Sequence, residues 1–213
     1  MFKLVIFDLD GTLINSLEDL GTAINVSLEK MGLPTHSMDK FNYFVGNGIR
    51  KLCERAVGEH QDRVDELYKL FGEYYGSHYA VYTKPYENVN QLLETLKDNN
   101  IKIAVASNKA ENFVVQIVSE LFPSIKFDSV KGQVDTRDKK PSPEIVFQIM
   151  QELGISKEQT VMVGDSNVDI TTGKNADIYT IGCLWGFRDY QELSQAGADS
   201  IVANPLEIID LVK

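Results

Sequence analysis

Cysteine is almost missing from this chain. Cys53 and Cys183 stand alone, too few and too far apart for a disulfide framework or a zinc cluster, so two buried or partly buried thiols are expected. Histidine is as sparse: His36, His60 and His78 are scattered and form no H-E-x-x-H pattern, and they are assigned no chemistry. No apolar run approaches the roughly 18 to 20 residues of a membrane span. The apolar patch beginning at Leu4 is too short for the core of a secretion signal and runs directly into Asp8. A cytoplasmic protein without a membrane partner is the expectation.

Positive charge is in deficit too. Lys and Arg number 21 against 31 Asp and Glu, a formal net charge of −10, which argues against nucleic acid or an anionic membrane as the partner. A phosphate ester is also repelled by that field, unless a divalent cation and a few local basic side chains reverse its sign at one place. Glycine-rich nucleotide loops are lacking as well: no G-x-x-x-x-G-K-[ST] occurs, and Gly46-Asn47-Gly48 has neither a third glycine nor a preceding strand. There is no internal repeat and no low-complexity linker.

What is present is organised around Leu4-Val5-Ile6-Phe7-Asp8-Leu9-Asp10-Gly11-Thr12-Leu13. The apolar, β-branched and aromatic first half suits a strand covered on both faces in the middle of a parallel sheet. It stops on two carboxylates, Asp8 and Asp10, followed by a glycine turn whose backbone can approach a ligand.

Beyond it, apolar residues recur at helical spacings of three and four: Leu17, Leu20, Ile24, Leu28 and Met31, then Ile49, Leu52, Cys53, Ala56 and Val57, then Val64, Leu67, Phe71 and Tyr75. Ser16 is placed to cap the first of these helices, with Asp19 favouring its positive end, and Gly32 and Pro34 stop it. Between about residue 15 and about residue 83 no stretch reads as a strand, so a small helical bundle is expected there. From Lys84-Pro85 onward strand and helix patterns alternate, with strands expected at 101–106, 127–130, 160–163, 178–183 and 201–202. The expected fold class is α/β: a doubly wound parallel sheet of residues 1–14 and 84–213, with 15–83 inserted as a helical domain.

Three later strand ends carry polar residues suited to one task. Ser107-Asn108-Lys109 offers a hydroxyl and, at an expected helix start, backbone N–H groups for phosphate oxygens. Asp138-Lys139-Lys140-Pro141-Ser142-Pro143 fixes a lysine before a proline-stiffened helix start, supplying positive charge. Gly164-Asp165-Ser166-Asn167-Val168-Asp169 adds two more carboxylates. Parallel strands put their carboxyl ends on one edge, so these segments can converge on Asp8.

The D-L-D-G-T, A-S-N-K, K-P-S-P and G-D-S-N-V-D segments resemble the four motifs of the haloacid dehalogenase superfamily, and the resemblance spans essentially the whole chain. The helical insert resembles that superfamily's α-helical cap of the first type. Within the superfamily, Gly46-Asn47-Gly48 followed by Leu52 and Ala56, and the late Trp185-Gly186-Phe187, are similar to phosphoglycolate phosphatases and their close relatives.

The resemblance implies a Mg²⁺-dependent phosphatase acting on a small phosphorylated metabolite, phosphoglycolate being the leading substrate. Asp8 would be nucleophile and metal ligand, forming an aspartyl-phosphate, and Asp10 the acid and base, its backbone carbonyl also facing the metal. Asp165 would be a metal ligand, with Asp169 a ligand through water or an orienting partner. Ser107 and Lys140 would hold non-bridging oxygens, and the backbone around Leu9, Asp10, Gly11 and Asn108 would complete the cradle, Thr12 bracing the turn. Gly46, Asn47, Gly48 and Arg50 are the expected substrate-reading loop of the cap. A sugar-phosphate mutase, a pyrophosphatase and a non-catalytic phosphate-ester sensor are the alternatives. The expected assembly is a monomer or a homodimer.

Overall fold

The computed structural model, which describes residues 1–213, places Leu4–Phe7 as strand β1, every residue of it buried. β1 lies between two parallel neighbours, Leu4 pairing with Lys102 on one side and Thr160 on the other. A strand bonded along both edges and covered on both faces has no room for a polar side chain, which is why this run is apolar until Asp8.

The chain continues through β2 (Ile14–Asn15), α1 (Leu17–Lys30), α2 (Met38–Phe44), α3 (Ile49–Val57), α4 (Val64–His78), β3 (Lys84–Pro85) and α5 (Val89–Asp98). There follow β4 (Lys102–Ala110), α6 (Glu111–Leu121), β5 (Ser129–Gln133), α7 (Glu144–Leu153), β6 (Thr160–Gly164) and α8 (Asn167–Asn175). The last elements are β7 (Tyr179–Cys183), α9 (Tyr190–Gln195), β8 (Ser200–Val202) and α10 (Glu207–Val212). The chain folds as two compact units, one of Met1–Ile14 with Pro85–Lys213, the other of Asn15–Lys84. No helix is long and apolar enough to cross a membrane.

The first unit is built on a six-stranded sheet of order β5-β4-β1-β6-β7-β8, with every neighbouring pair parallel. Alternate residues of β1 serve opposite faces; Leu4 and Ile6 join Ile145, Val146 and Ile149 of α7 in one buried cluster. The connections run to β4 on one side of β1 and to β6 on the other, so the carboxyl ends of these three strands flank a topological switch point, where open α/β sheets bind ligands.

Two sequence expectations need correcting here. The strand expected at 127–130 lies at Ser129–Gln133. β4 does not end at Ala106: it runs to Ala110, with a register irregularity between Ala106 and Ala110, and the helix starts only at Glu111. Ser107 and Asn108 are therefore buried strand residues, and their amides are not those of a helix N-terminus.

The second unit is helical. α1 buries Leu20, Ala23, Ile24 and Leu28, α3 buries Leu52, Cys53, Ala56 and Val57, and α4 buries Val64, Leu67, Phe71 and Tyr75, the stripes read from spacing. Ser16 occupies the N-cap position of α1 without a side-chain capping bond; Asn15 Oδ1 accepts from the Leu17 amide instead, at 3.3 Å. Asp19 does more than face a helix dipole. It is buried and accepts from the Tyr82 amide (3.0 Å), the Thr83 amide (2.8 Å) and the Thr83 hydroxyl (2.6 Å), fastening the end of the unit to its first helix.

Candidate active site

The turn after β1 is closed by its own backbone. The Leu9 carbonyl accepts from the amides of Thr12, Leu13 and Ile14, and the Gly11 amide donates to the Ile14 carbonyl at 2.9 Å. The amides of Gly11 and Thr12 are thus spent inside the turn, so of the backbone expected around the phosphate Gly11 does not offer its N–H. Gly11 is required on other grounds: its φ is +92°, and a Cβ there would lie 2.4 Å from Asp165 Oδ2. The Thr12 hydroxyl points to Asp165 Oδ1 at 3.4 Å, a bracing contact.

Lys140 joins the strand ends. Its buried ammonium donates to Asp8 Oδ1 (2.8 Å), Asp169 Oδ1 (2.6 Å) and the Ala106 carbonyl (2.8 Å). All three of its protons are used, so toward a phosphate it acts as a fixed charge rather than as a new hydrogen-bond donor. Asn108 holds it there: its Oδ1 accepts from the Lys140 amide at 2.8 Å and its Nδ2 donates to the Lys140 carbonyl at 3.1 Å. Ser107 Oγ accepts from the Lys109 amide at 3.2 Å, which leaves the hydroxyl proton to donate.

Asp165 follows β6, and Asp169 sits in the first turn of α8, where it closes a capping box with Ser166. Asp169 Oδ2 takes the Ser166 amide (3.2 Å) and hydroxyl (2.6 Å), while Oδ1 takes Lys140. With both oxygens engaged, Asp169 has the bonding of an orienting group. Asp8, Asp165 and Asp169 are all buried, and one carboxylate oxygen from each lies within 4.8 Å of the others.

Such crowding is costly without a cation. Burial, then the neighbouring Asp169, pushes the Asp8 carboxyl up to about 7, against the pull of Lys140. Burial followed by Asp169 and Asp8 raises Asp165 well above the usual carboxylate range, although the Phe187 amide donates to its Oδ2 at 2.8 Å. Burial opposes the charge on Lys140, and Asp169 and Asp8 overcome it and raise that group. Hard carboxylate oxygens in excess of local positive charge are the donor set of a divalent cation such as Mg²⁺.

One participant escaped the sequence reading. Lys109, buried to 2% side-chain exposure, meets Asp10 at 2.8 Å and 3.1 Å, one contact to each carboxylate oxygen. The signal was there in the charge balance: four carboxylates at the strand ends had been matched with a single lysine. With Lys109 counted, two ammonium groups face four carboxylates, a deficit that one divalent cation makes good.

In the helical unit, Gly46 and Gly48 take φ of +111° and +84°. Asn47 Oδ1 accepts from Arg55 Nη2 at 2.8 Å, and Arg55 Nη1 also donates to the carbonyls of Tyr43 and Phe44. Arg55, not singled out from sequence, is the brace of this loop. Arg50 lies on the surface, 59% exposed, paired with Asp65 at 2.9 Å.

Comparison with known proteins agrees with this geometry. Residues 5–183 match the haloacid dehalogenase-like hydrolase family. The chain is 35% identical over 211 residues to a phosphoglycolate phosphatase of Aquifex aeolicus, covering 99% of this chain and 96% of that protein. To the phosphoglycolate phosphatase of Psychrobacter arcticus it is 34% identical, covering 98% and 91%. The crystal structure of a predicted phosphoglycolate phosphatase from Haemophilus somnus superposes with a TM-score of 0.92 at 30% identity, covering 100% of this chain and 98% of that one. A switch-point site of carboxylates at parallel strand ends, on this sheet, fits the hydrolase class that the family match gives. The chain belongs to the haloacid dehalogenase-like hydrolase family, as one of its phosphoric monoester hydrolases.

Proposed function

We propose that this enzyme hydrolyses the phosphate ester of a small acid, phosphoglycolate first, with Asp8 as nucleophile and Mg²⁺ as cofactor. Asp8, Asp165 and the backbone carbonyl of Asp10 would hold the cation, with Asp169 orienting them through Lys140. When bound, the cation supplies the positive charge that keeps Asp8 ionised and offsets the phosphoryl oxygens.

Each residue has its own share of the work. Lys140 takes Asp8 Oδ1 and leaves Oδ2 without a hydrogen bond, so Oδ2 is the atom that attacks phosphorus. The bond to the leaving oxygen breaks as Asp10 gives that oxygen a proton. A water then loses its proton to Asp10 and attacks the phosphorus of the aspartyl-phosphate, freeing phosphate and restoring Asp8. The Ser107 hydroxyl donates to a non-bridging oxygen, and Lys140 contributes its fixed charge. Gly46, Asn47, Gly48 and Arg50 of the helical unit are assigned to reading the remainder of the substrate, the guanidinium of Arg50 suiting a second anionic group.

The observation that carries this reading is the trio Asp8, Asp165 and Asp169 within 4.8 Å of one another, with Asp8 at the end of a central strand. The substrate assignment is supported by the named activity of the relatives that align over nearly the full chain. The test is phosphate release from a panel of esters with and without Mg²⁺, with Asp8→Asn as control. Release from phosphoglycolate far above the rest, abolished by EDTA and by Asp8→Asn, is expected. A flat panel would overturn the substrate, and metal-independent release the cofactor.

A further inference from the structure

One loop at the site has no part in the chemistry assigned above. Residues 184–188 follow β7 and make three contacts with the carboxylate end of the sheet. The Trp185 indole N–H donates to the Thr12 carbonyl at 2.9 Å. The Phe187 amide donates to Asp165 Oδ2 at 2.8 Å. Between them Gly186 fills a gap with no space for a side chain: a Cβ would lie 2.3 Å from both Asp165 Cβ and the Gly11 carbonyl oxygen, and 2.6 Å from Asp165 Oδ2. Gly11 closes on the same carboxylate from the nucleophile turn, and the Thr12 hydroxyl reaches its Oδ1.

Asp165 is therefore wedged between two glycine turns, and the indole bond ties those turns together. A carboxylate repelled by Asp8 and Asp169 would otherwise relax by rotating away from them. Trp185 is only partly buried, and its indole bond to Thr12 adds a directed tie to its packing.

We propose that the Trp185-Gly186-Phe187 loop is the positioning element for Asp165 and thereby sets the affinity of the site for its divalent cation. The inference rests on the reading of Asp165 as a metal ligand. Groups that orient a ligand without touching the metal commonly change metal affinity by about 10- to 100-fold when altered, and that is the effect expected here.

Trp185 is the single tryptophan of the chain, so its emission reports on this loop directly. The experiment titrates the protein with Mg²⁺, following heat by calorimetry for the wild type, Gly186→Ala and Trp185→Phe and, separately, Trp185 emission for the wild type and Gly186→Ala. In the wild type, emission should change saturably at the Mg²⁺ concentrations that give heat. Both variants should bind about 10- to 100-fold more weakly, while in EDTA Trp185→Phe should melt within about 4 °C of the wild type, the scale of one lost hydrogen bond. The alanine methyl has no space and can cost Gly186→Ala its fold, so Trp185→Phe, which removes the indole donor, carries the decision. Wild-type binding with unaltered affinity in Trp185→Phe overturns the inference and leaves the metal reading standing. A wild-type protein that takes up no Mg²⁺ overturns both.

Discussion

The strand-end site and the surface of the helical unit use the same kind of ion pair in opposite surroundings. In the sheet unit, Lys140 meets Asp8 and Asp169 with all three side chains at 10% exposure or less, and Lys109 meets Asp10 in similar depth. In the helical unit, Arg50 meets Asp65 at 59% and 83% exposure, and Lys51 meets Glu54 and Arg63 meets Glu66 in the open. Buried pairs carry a desolvation penalty that their attraction barely repays, whereas exposed pairs are nearly neutral. Charges kept inside at such a cost are the ones the proposed reaction uses; charges on the helical surface can be exchanged at little cost to folding.

The contrast breaks first if a buried carboxylate proves dispensable. Asp8→Asn should lower kcat by about five orders of magnitude, the scale of removing a nucleophile, in a steady-state phosphate-release assay; a drop below tenfold would place the chemistry elsewhere. Asp10→Asn should cost about two to four orders, the range of a general acid-base group, the loss falling on the second step alone for esters whose leaving group needs no proton.

The third prediction concerns pH. Asp8 has its folded value raised to about 7 from an ordinary 3.8, so the folded metal-free protein binds this proton more tightly than the unfolded chain does. The stability it contributes is fully present below the unfolded value and is lost as pH rises through the folded one. In EDTA the melting temperature should fall between about pH 4 and pH 7, and Mg²⁺ should restore more of it at the alkaline end. Asp8→Asn should flatten that slope; an equally steep slope would mean another group is responsible.

Asp19 sharpens the comparison as the exception in the helical unit, a buried carboxylate with a purely structural duty. Asp19→Ala should destabilise by about 2–3 kcal/mol through lost charge-assisted bonds, read by denaturant unfolding, with kcat retained once the protein is folded. Smallest of all, Arg50→Ala should change stability by less than about 0.5 kcal/mol and, if the loop reads the substrate, raise KM for an anionic ester while leaving kcat nearly unchanged.

Much of the sheet unit was legible because its rules are local. Apolar runs stop at polar residues and parallel strands share one carboxyl edge, which lets the segments carrying Asp8, Ser107, Lys140, Asp165 and Asp169 converge; the role of each came from the resemblance to the haloacid dehalogenase motifs. The remainder depends on contacts that sequence separation hides. The bond from Trp185 to Thr12 spans nearly the whole chain, and the Lys109 side chain was given no role because the apolar run ends at Ala106, four residues before the strand's register irregularity closes at Ala110. α2 carries a single buried residue, Phe41, too few to leave a periodic stripe. Asp19 read as a helix-end charge because its true partners, Tyr82 and Thr83, lie beyond three further helices.

The most direct test of Asp8 as the atom donor uses the Asp10→Asn protein with p-nitrophenyl phosphate and Mg²⁺. This leaving group departs without a proton, while the second step still lacks its base. A burst of one p-nitrophenolate per enzyme, followed by slow turnover and a phosphoryl group found by mass spectrometry on the peptide carrying Asp8, is the predicted result. Linear release with no burst, or a phosphoryl group on any other residue, would contradict the account.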